Sequence, residues 1–133
     1  MKFDQIRIGM EFSIKKRFTH KDVDEFAKLS EDRNPLHLNE EFAKRSIFKG
    51  KIVHGMLYSS LISAIFGNNL PGSIYLKQSL EFLKPVKIDD EITAIVKIKT
   101  KIDQKNIFVC ETICKNQEQE HVVVGEATML LKD

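Results

Sequence analysis

Asp32 and His37 place a carboxylate and an imidazole close together, in the run Ser30-Glu31-Asp32-Arg33-Asn34-Pro35-Leu36-His37. Pro35 lacks an N–H and disfavours a helical conformation at Asn34, so Asp32 and His37 cannot lie on one continuous helix. We therefore predict an irregular loop that turns both side chains toward one water molecule. Such a pair can transfer protons at neutral pH. The same residues also suit a plain turn, because Asp and Asn side chains bond their own backbone.

A second group of residues, Ile52-Val53-His54-Gly55-Met56, precedes an uncharged run that reaches Phe66. This run predicts a buried helix that begins at Gly55. An amide in the first turn of a helix has no intrahelical acceptor, and the helix dipole places positive potential there. Gly55 is therefore a candidate oxyanion donor, although a glycine here also allows tight packing. We interpret His54 as a packed or capping histidine.

Both groups of residues match a known family. The run 30–43 resembles the hydratase motif of MaoC-like (R)-specific enoyl-CoA hydratases, as do Ile52-Val53-His54-Gly55-Met56-Leu57 and the later segment 72–82. The resemblance covers nearly the whole chain. One position departs from the pattern: the family often has a small residue, commonly Gly, where this chain has Glu31.

The resemblance implies an α+β hot-dog fold, in which an antiparallel sheet wraps around a central buried helix, and a single MaoC-like domain over residues 1–133. It also implies that Asp32 and His37 hold a water molecule that adds to an enoyl-CoA thioester, with Asn34 bracing the loop. Either Asp32 or His37 could be the base, since the two would titrate as a coupled pair. Coenzyme A is part of the substrate, and no separate cofactor or metal is expected. Hot-dog proteins of this type form dimers, so we expect a homodimer.

The acyl chain is expected to run beside the predicted helix. Ile62, Ser63 and Phe66 follow Gly55 at helical spacing and are candidates to line the pocket. Ser63 also matches a serine near the active site of the family, although a helical serine can equally bond its own backbone. Because Ile62 and Phe66 are bulky, we predict short acyl chains of about four to six carbons.

Composition excludes several classes of protein. The 133 residues are 42% hydrophobic and 30% charged, which is typical of one modest globular domain. The 21 basic and 19 acidic residues are well mixed, and the net charge of +2 gives no case for nucleic acid or a membrane surface as partner. The lysines of the second half suit solvated strand faces, or one or two of them meet coenzyme A phosphates. With no signal-peptide pattern or membrane-length apolar run, a cytoplasmic location is expected.

The remaining pattern predicts the elements that position these residues. A strand at 11–18 leads to a helix capped by Thr19 and Asp22, which ends before Asp32. Asn39 caps a short helix over 40–44, and the buried helix runs from Gly55 to Phe66. Period-two alternation predicts strands at 73–83, 91–102, 106–115 and 121–132. Cys110 and Cys114 lie four residues apart on one strand, too far for a disulfide, and are expected to be reduced.

Three rival functions remain open from the sequence. Many hot-dog thioesterases carry an acid on the central helix, and residues 55–66 contain none. A non-catalytic acyl-binding subunit would be expected to lack Asp32 or His37, and both are present. Dehydration of 3-hydroxyacyl groups on acyl carrier protein is the same chemistry in reverse on another carrier, and the sequence does not separate it from the coenzyme A reaction.

Overall fold

The computed structural model describes residues 1–132, which form one sheet and four α-helices. The helices are α1 (His20–Ser30), α2 (Pro35–Leu38), α3 (Glu40–Lys44) and α4 (Gly55–Asn69). The strands are β1 (Glu11–Arg17), β2 (Ile74–Gln78), β3 (Glu81–Phe82), β4 (Glu91–Ile102), β5 (Ile107–Lys115) and β6 (His121–Leu130). Two short 3-10 turns, Phe3–Gln5 and Asp103–Lys105, complete the described elements.

The sheet is antiparallel throughout, with strand order β1-β4-β5-β6-β2, and β3 pairs with β6. Alternate residues of β4 are fully buried, because one face of the sheet covers the core. These residues are Ile92, Ala94, Val96 and Ile98. The prediction of an antiparallel sheet around one buried helix is confirmed.

Helix α4 lies against β1, β4 and β5, with its inner face in the core. The helix is not buried on all sides, however. Met56, Ser60 and Ser63 follow one another along an exposed stripe that carries no charge. The helix also continues three residues past the predicted end at Phe66, because the amide of the fully buried Leu70 bonds the Phe66 carbonyl at 2.8 Å and closes the last turn.

The segment 73–83 forms two strands rather than the single strand predicted. At the break, the amide of Ser79 donates to the Glu126 carbonyl (2.9 Å), and the Glu126 amide donates to Ser79 Oγ (2.9 Å). A Cβ on Gly125 would overlap the Ser79 carbonyl oxygen, so this close crossing requires a glycine. The last strand ends at Leu130, two residues before the predicted end.

The predicted caps and cysteines are confirmed. Thr19 and Asp22 form a capping box at α1, and Asn39 Oδ1 accepts from the Phe42 amide at 3.0 Å at the start of α3. Cys110 and Cys114 are free and fully buried, and burial raises the pKa of each thiol to about 12.

None of the helices among residues 1–132 has both the length and the apolar character required to cross a membrane.

Candidate active site

Asp32 follows helix α1 directly after its C-cap, which is unusual because a residue other than glycine adopts the left-handed conformation there. Ser30 ends the helix, and Glu31 follows in the left-handed conformation with φ of 66°. Glycine adopts this conformation at a helix end without steric cost, whereas other residues are disfavoured. Glu31 therefore occupies a position where the backbone favours the glycine common in the related family. The Asp32 amide then donates to Ser30 Oγ at 3.1 Å, which turns the chain away from the helix.

Asn34 and Pro35 orient the next turn. The predicted irregular loop is in part a helix, because Pro35 occupies the first turn of α2, where its missing N–H costs nothing. Asn34 Oδ1 accepts from the Leu36 amide at 3.0 Å, and the Asn34 amide donates to Asp32 Oδ1 at 3.3 Å. Asn34 therefore braces the segment between Asp32 and His37.

His37 sits one turn into α2 and is only 8% exposed. Its Nδ1 lies 2.7 Å from the carbonyl oxygen of Ile52. A carbonyl oxygen only accepts, so we assign the proton to Nδ1. In the neutral ring, Nε2 then carries a free lone pair, which is the form of histidine that accepts a proton.

His54 contacts both candidate catalytic residues, Asp32 through a hydrogen bond and His37 through ring stacking. Its Nε2 lies 3.0 Å from the Asp32 carbonyl oxygen, and its ring stacks on His37 with centroids 3.8 Å apart and planes 28° apart. The edge of Phe26 packs on it at 4.9 Å. His54 is 1% exposed, and Nδ1 has no hydrogen-bond partner in the described residues. Burial lowers the pKa of His54, although the Asp32 carbonyl opposes that shift, and the ring is therefore neutral near pH 7.

Asp32, His37 and His54 each present one ligand atom within 4.8 Å of the others. By residue type this group could hold a divalent cation. The two imidazole planes lie 28° apart, however, and one nitrogen of each ring already faces a backbone carbonyl, which leaves one nitrogen of each ring for a ligand. The arrangement suits a water molecule better, because one water can bridge two groups at this separation.

These side chains open onto a cleft of about 430 Å³. Gly55 lies in its wall at the start of α4, where the first amides bonded to the preceding turn are those of Leu57 and Tyr58, both donating to the His54 carbonyl. No described residue accepts a hydrogen bond from the Gly55 amide. Phe82 covers this position so closely that a Cβ on Gly55 would lie 2.5 Å from its ring.

The structure brings together only some of the residues singled out in the sequence. Asp32, His37 and Gly55 line the cleft, whereas Asn34 does not line it and contacts it through its hydrogen bond to Asp32. Ser63 is exposed and lines a second cleft, which adjoins the first at Met56. The expected positions of Ile62 and Phe66 beside the acyl chain are not seen, because both are at most 2% exposed within the core and line neither cleft.

Sequence reasoning missed several cleft residues. Phe48, Tyr58, Phe82 and Lys84 all line the cleft. They come from a loop, from α4 and from the β3 region, and no spacing in the sequence links them. The stacking of His54 on His37 was also missed, since only the fold places them together.

Comparison with known proteins adds four findings. A family model described as MaoC like domain matches residues 4–120. A protein from Rhodospirillum rubrum named (R)-specific enoyl-CoA hydratase is 40% identical, covering 97% of this chain and 90% of its own. The solved structure of an (R)-hydratase from Aeromonas caviae involved in PHA biosynthesis superposes with a TM-score of 0.92 at 43% identity, covering 96% of this chain and 98% of that one. An Arabidopsis thaliana mitochondrial 3-hydroxyacyl-[acyl-carrier-protein] dehydratase is 36% identical, covering 95% and 78%.

The buried His54 predicts a specific pH dependence of stability. Its pKa is lowered in the folded chain from an ordinary value of 6.5, so the unfolded chain binds the proton more readily. The free energy of unfolding should therefore fall as pH drops below about 6.5. Urea denaturation at pH 7.5 and 5.5 should show a smaller difference for His54→Gln than for the wild type. His121→Gln, at an exposed strand position, should keep the wild-type difference. An unchanged difference in His54→Gln would contradict the assignment.

Proposed function

The chain belongs to the MaoC-like domain family, and from this membership we propose that it is an (R)-specific enoyl-CoA hydratase. It adds water reversibly across the 2,3 double bond of a trans-2-enoyl-CoA and gives the (R)-3-hydroxyacyl-CoA. The observation that carries the proposal is the convergence of Asp32 and His37 within 4.8 Å at one cleft. The identity of 40% to a hydratase over 97% of the chain supports the same reaction.

In the proposed mechanism, one water molecule bridges the Asp32 carboxylate and His37 Nε2. As the water oxygen bonds to the β-carbon of the substrate, one of these two groups takes its proton. A proton then passes to the α-carbon on the same face, and the electrons of the double bond return from the thioester to form the C–H bond. Atoms balance as the addition of one water, and no electrons are gained or lost overall, so no redox cofactor is required.

The intermediate charge of this addition develops on the thioester oxygen. The unbonded amide of Gly55, at the positive end of α4, is the proposed donor to that oxygen. The apolar wall beside it, with Tyr58 and Phe82, would receive the acyl chain.

The rival reactions have weaker support. Helix α4 contains no Asp or Glu over its whole length, so it lacks the central-helix acid of many thioesterases. A non-catalytic role leaves the braced Asp32 and the oriented His37 without a purpose. Dehydration of a carrier-protein substrate is favoured by one observation, the 36% identity to the Arabidopsis thaliana dehydratase, and the same residues would perform it in reverse.

We also propose that the protein is a homodimer formed along β2. This strand is an edge of the sheet, and its Ile74 and Leu76 are 54% and 51% exposed. The uncharged exposed stripe of α4 lies beside it, and together they border the second cleft. A second copy would cover this apolar face and pair the free edge of β2.

Asp32→Asn and His37→Gln should each lower the rate of crotonyl-CoA hydration at least about 100-fold, since a positioned acid or base contributes about 10²–10⁴-fold. Loss of ultraviolet absorbance of the conjugated thioester measures the rate. Glu31→Gln removes the neighbouring carboxylate and His20→Gln an exposed imidazole; both controls should retain nearly full activity. Near-normal hydration by either Asp32→Asn or His37→Gln would refute the catalytic assignment.

Comparing Gly55→Pro with Gly55→Ala separates the effect of losing the amide N–H from the effect of adding a side chain at this position. Both variants add a Cβ that displaces Phe82, but only Pro removes the N–H. Proline is well tolerated at the first position of a helix, so the Pro variant should fold. Its hydration rate should fall about 100-fold or more below that of the Ala variant, the usual effect of losing one oxyanion donor. Equal rates in the two variants would rule out the proposed role of the amide.

Sedimentation at micromolar concentration should give a species of twice the chain mass of 15.3 kDa. Leu76→Lys should shift the protein toward the monomer, because the charge would be buried in the proposed interface. Leu29→Lys, at an 86% exposed position on α1, is the matched control and should leave the dimer intact. A monomeric wild type would overturn this proposal without affecting the proposed reaction.

A further inference from the structure

The hydroxyl of Tyr58 is the one polar side-chain group of the first cleft that neither the proposed reaction nor another residue uses. The polar side chains that line this cleft are those of Asp32, His37, His54, Tyr58 and Lys84. Asp32 and His37 carry the proposed reaction, and His54 bonds a backbone carbonyl. Lys84 forms an ion pair with an acid outside the cleft. Only Tyr58 is left without a role.

The two tyrosines of the chain differ in what their hydroxyls bond. The Tyr75 hydroxyl lies beside the second cleft and donates to Gln78 Oε1 at 3.0 Å. Tyr58 is more deeply buried, with only 2% of its surface exposed. Its hydroxyl nevertheless forms no hydrogen bond with another group among residues 1–132. A buried tyrosine usually has a hydrogen-bond partner, so the free Tyr58 hydroxyl indicates a partner from outside the chain.

The Tyr58 oxygen borders open space. Within residues 1–132, fully enclosed polar side-chain atoms without a partner occur on His54, Ser59 and Ser73. The Tyr58 oxygen has no partner and is not one of these atoms, so it is not fully enclosed, and the space that Tyr58 lines is the first cleft. Burial raises the pKa of Tyr58 above its ordinary value. The hydroxyl therefore keeps its proton and can donate a hydrogen bond into the cleft.

Phe82 connects Tyr58 with the proposed oxyanion site. The Phe82 ring covers Gly55, where a Cβ would lie 2.5 Å from it, and meets the Tyr58 ring edge-on with centroids 6.2 Å apart. Tyr58 also follows Gly55 by three residues on α4, so its Cα lies about 4.5 Å further along the helix axis. A thioester held at the Gly55 amide therefore places Tyr58 within reach of a short acyl chain.

The buried wall around this hydroxyl is otherwise apolar. Val53 and Val86, joined by a backbone hydrogen bond of 2.7 Å, line the same cleft and are 3% and 1% exposed. A hydrocarbon chain that fills this space removes water from the Tyr58 hydroxyl and leaves the donor unpaired, which is unfavourable. An oxygen atom on the chain accepts the hydrogen bond instead. Sites with a fixed polar group discriminate strongly between such ligands.

We propose that Tyr58 is a specificity-determining residue that donates a hydrogen bond to an oxygen atom of the acyl chain beyond the double bond. This inference rests on the proposed function and narrows its substrate class. The preferred substrates are trans-2-enoyl-CoA thioesters whose chain carries a hydroxyl or carbonyl oxygen past the β-carbon. The Tyr58 ring still provides apolar contact to the carbons before that oxygen.

The test compares pairs of substrates in which a hydroxyl replaces a terminal methyl group. One pair is 4-hydroxycrotonyl-CoA and trans-2-pentenoyl-CoA, and the other is 5-hydroxy-trans-2-pentenoyl-CoA and trans-2-hexenoyl-CoA. In at least one pair, Tyr58→Phe should lower the ratio of kcat/KM for the hydroxylated member to that for the hydrocarbon member at least about threefold, because one hydrogen bond is lost. The ratio cancels any general loss of activity and the intrinsic reactivity of each substrate.

Tyr75→Phe is the matched control, because it removes a tyrosine hydroxyl that lies outside the first cleft. It should keep the wild-type ratio in both pairs. Unchanged ratios in Tyr58→Phe, or an equal fall in Tyr75→Phe, would overturn the inference and leave the proposed hydratase intact. A wild type inactive on all four thioesters and on crotonyl-CoA would instead refute the hydratase itself.

Discussion

Two hydrogen bonds from imidazole rings to backbone carbonyls hold the candidate site together. His37 Nδ1 bonds the Ile52 carbonyl, and His54 Nε2 bonds the Asp32 carbonyl, so each of the two segments holds the other. A buried N–H without an acceptor costs about 1–3 kcal/mol, which makes both contacts strong constraints on the fold of these segments. The stacking of the two rings adds a further restraint on the plane of His37. The relative placement of Asp32, His37 and the Gly55 amide depends on this pair of bonds.

The same arrangement separates the charges of the site. His54 is buried and neutral, whereas the Asp32 side chain is exposed to the cleft. The charge of Asp32 therefore lies at the surface where substrate would bind, while the buried His54 stays uncharged. Burial of a charged imidazole in that place would disfavour the folded state. The side of the site that faces the cleft is therefore polar, whereas the buried side behind His54 is apolar and includes the edge of Phe26.

Helix α4 links this site to the rest of the molecule. Its inner face forms the core beneath the sheet, and its first turn presents the Gly55 amide to the cleft. Its exposed stripe faces the second cleft beside the edge strand β2. One uncharged helix therefore contributes to packing, to the proposed oxyanion site and to the proposed dimer surface. The proposed dimer surface would account for the absence of charge on the exposed part of this helix.

The sequence by itself determined the local elements and the candidate catalytic pair. Thr19 and Asp22, Asn39, and the strands β4, β5 and β6 follow from short-range rules of capping and alternation, and the structure confirms them. The same rules did not predict the break that divides segment 73–83 into two strands. Asp32 and His37 were found because they are close in sequence and flank Pro35. Only the tertiary structure decided what surrounds them. The stacking of His54 on His37, the cover of Phe82 over Gly55, and the burial of Ile62 and Phe66 away from the cleft arise between segments far apart in the chain. Helical spacing states which residues share a face, but the sheet that packs on the helix decides which face becomes core and which lines a cleft.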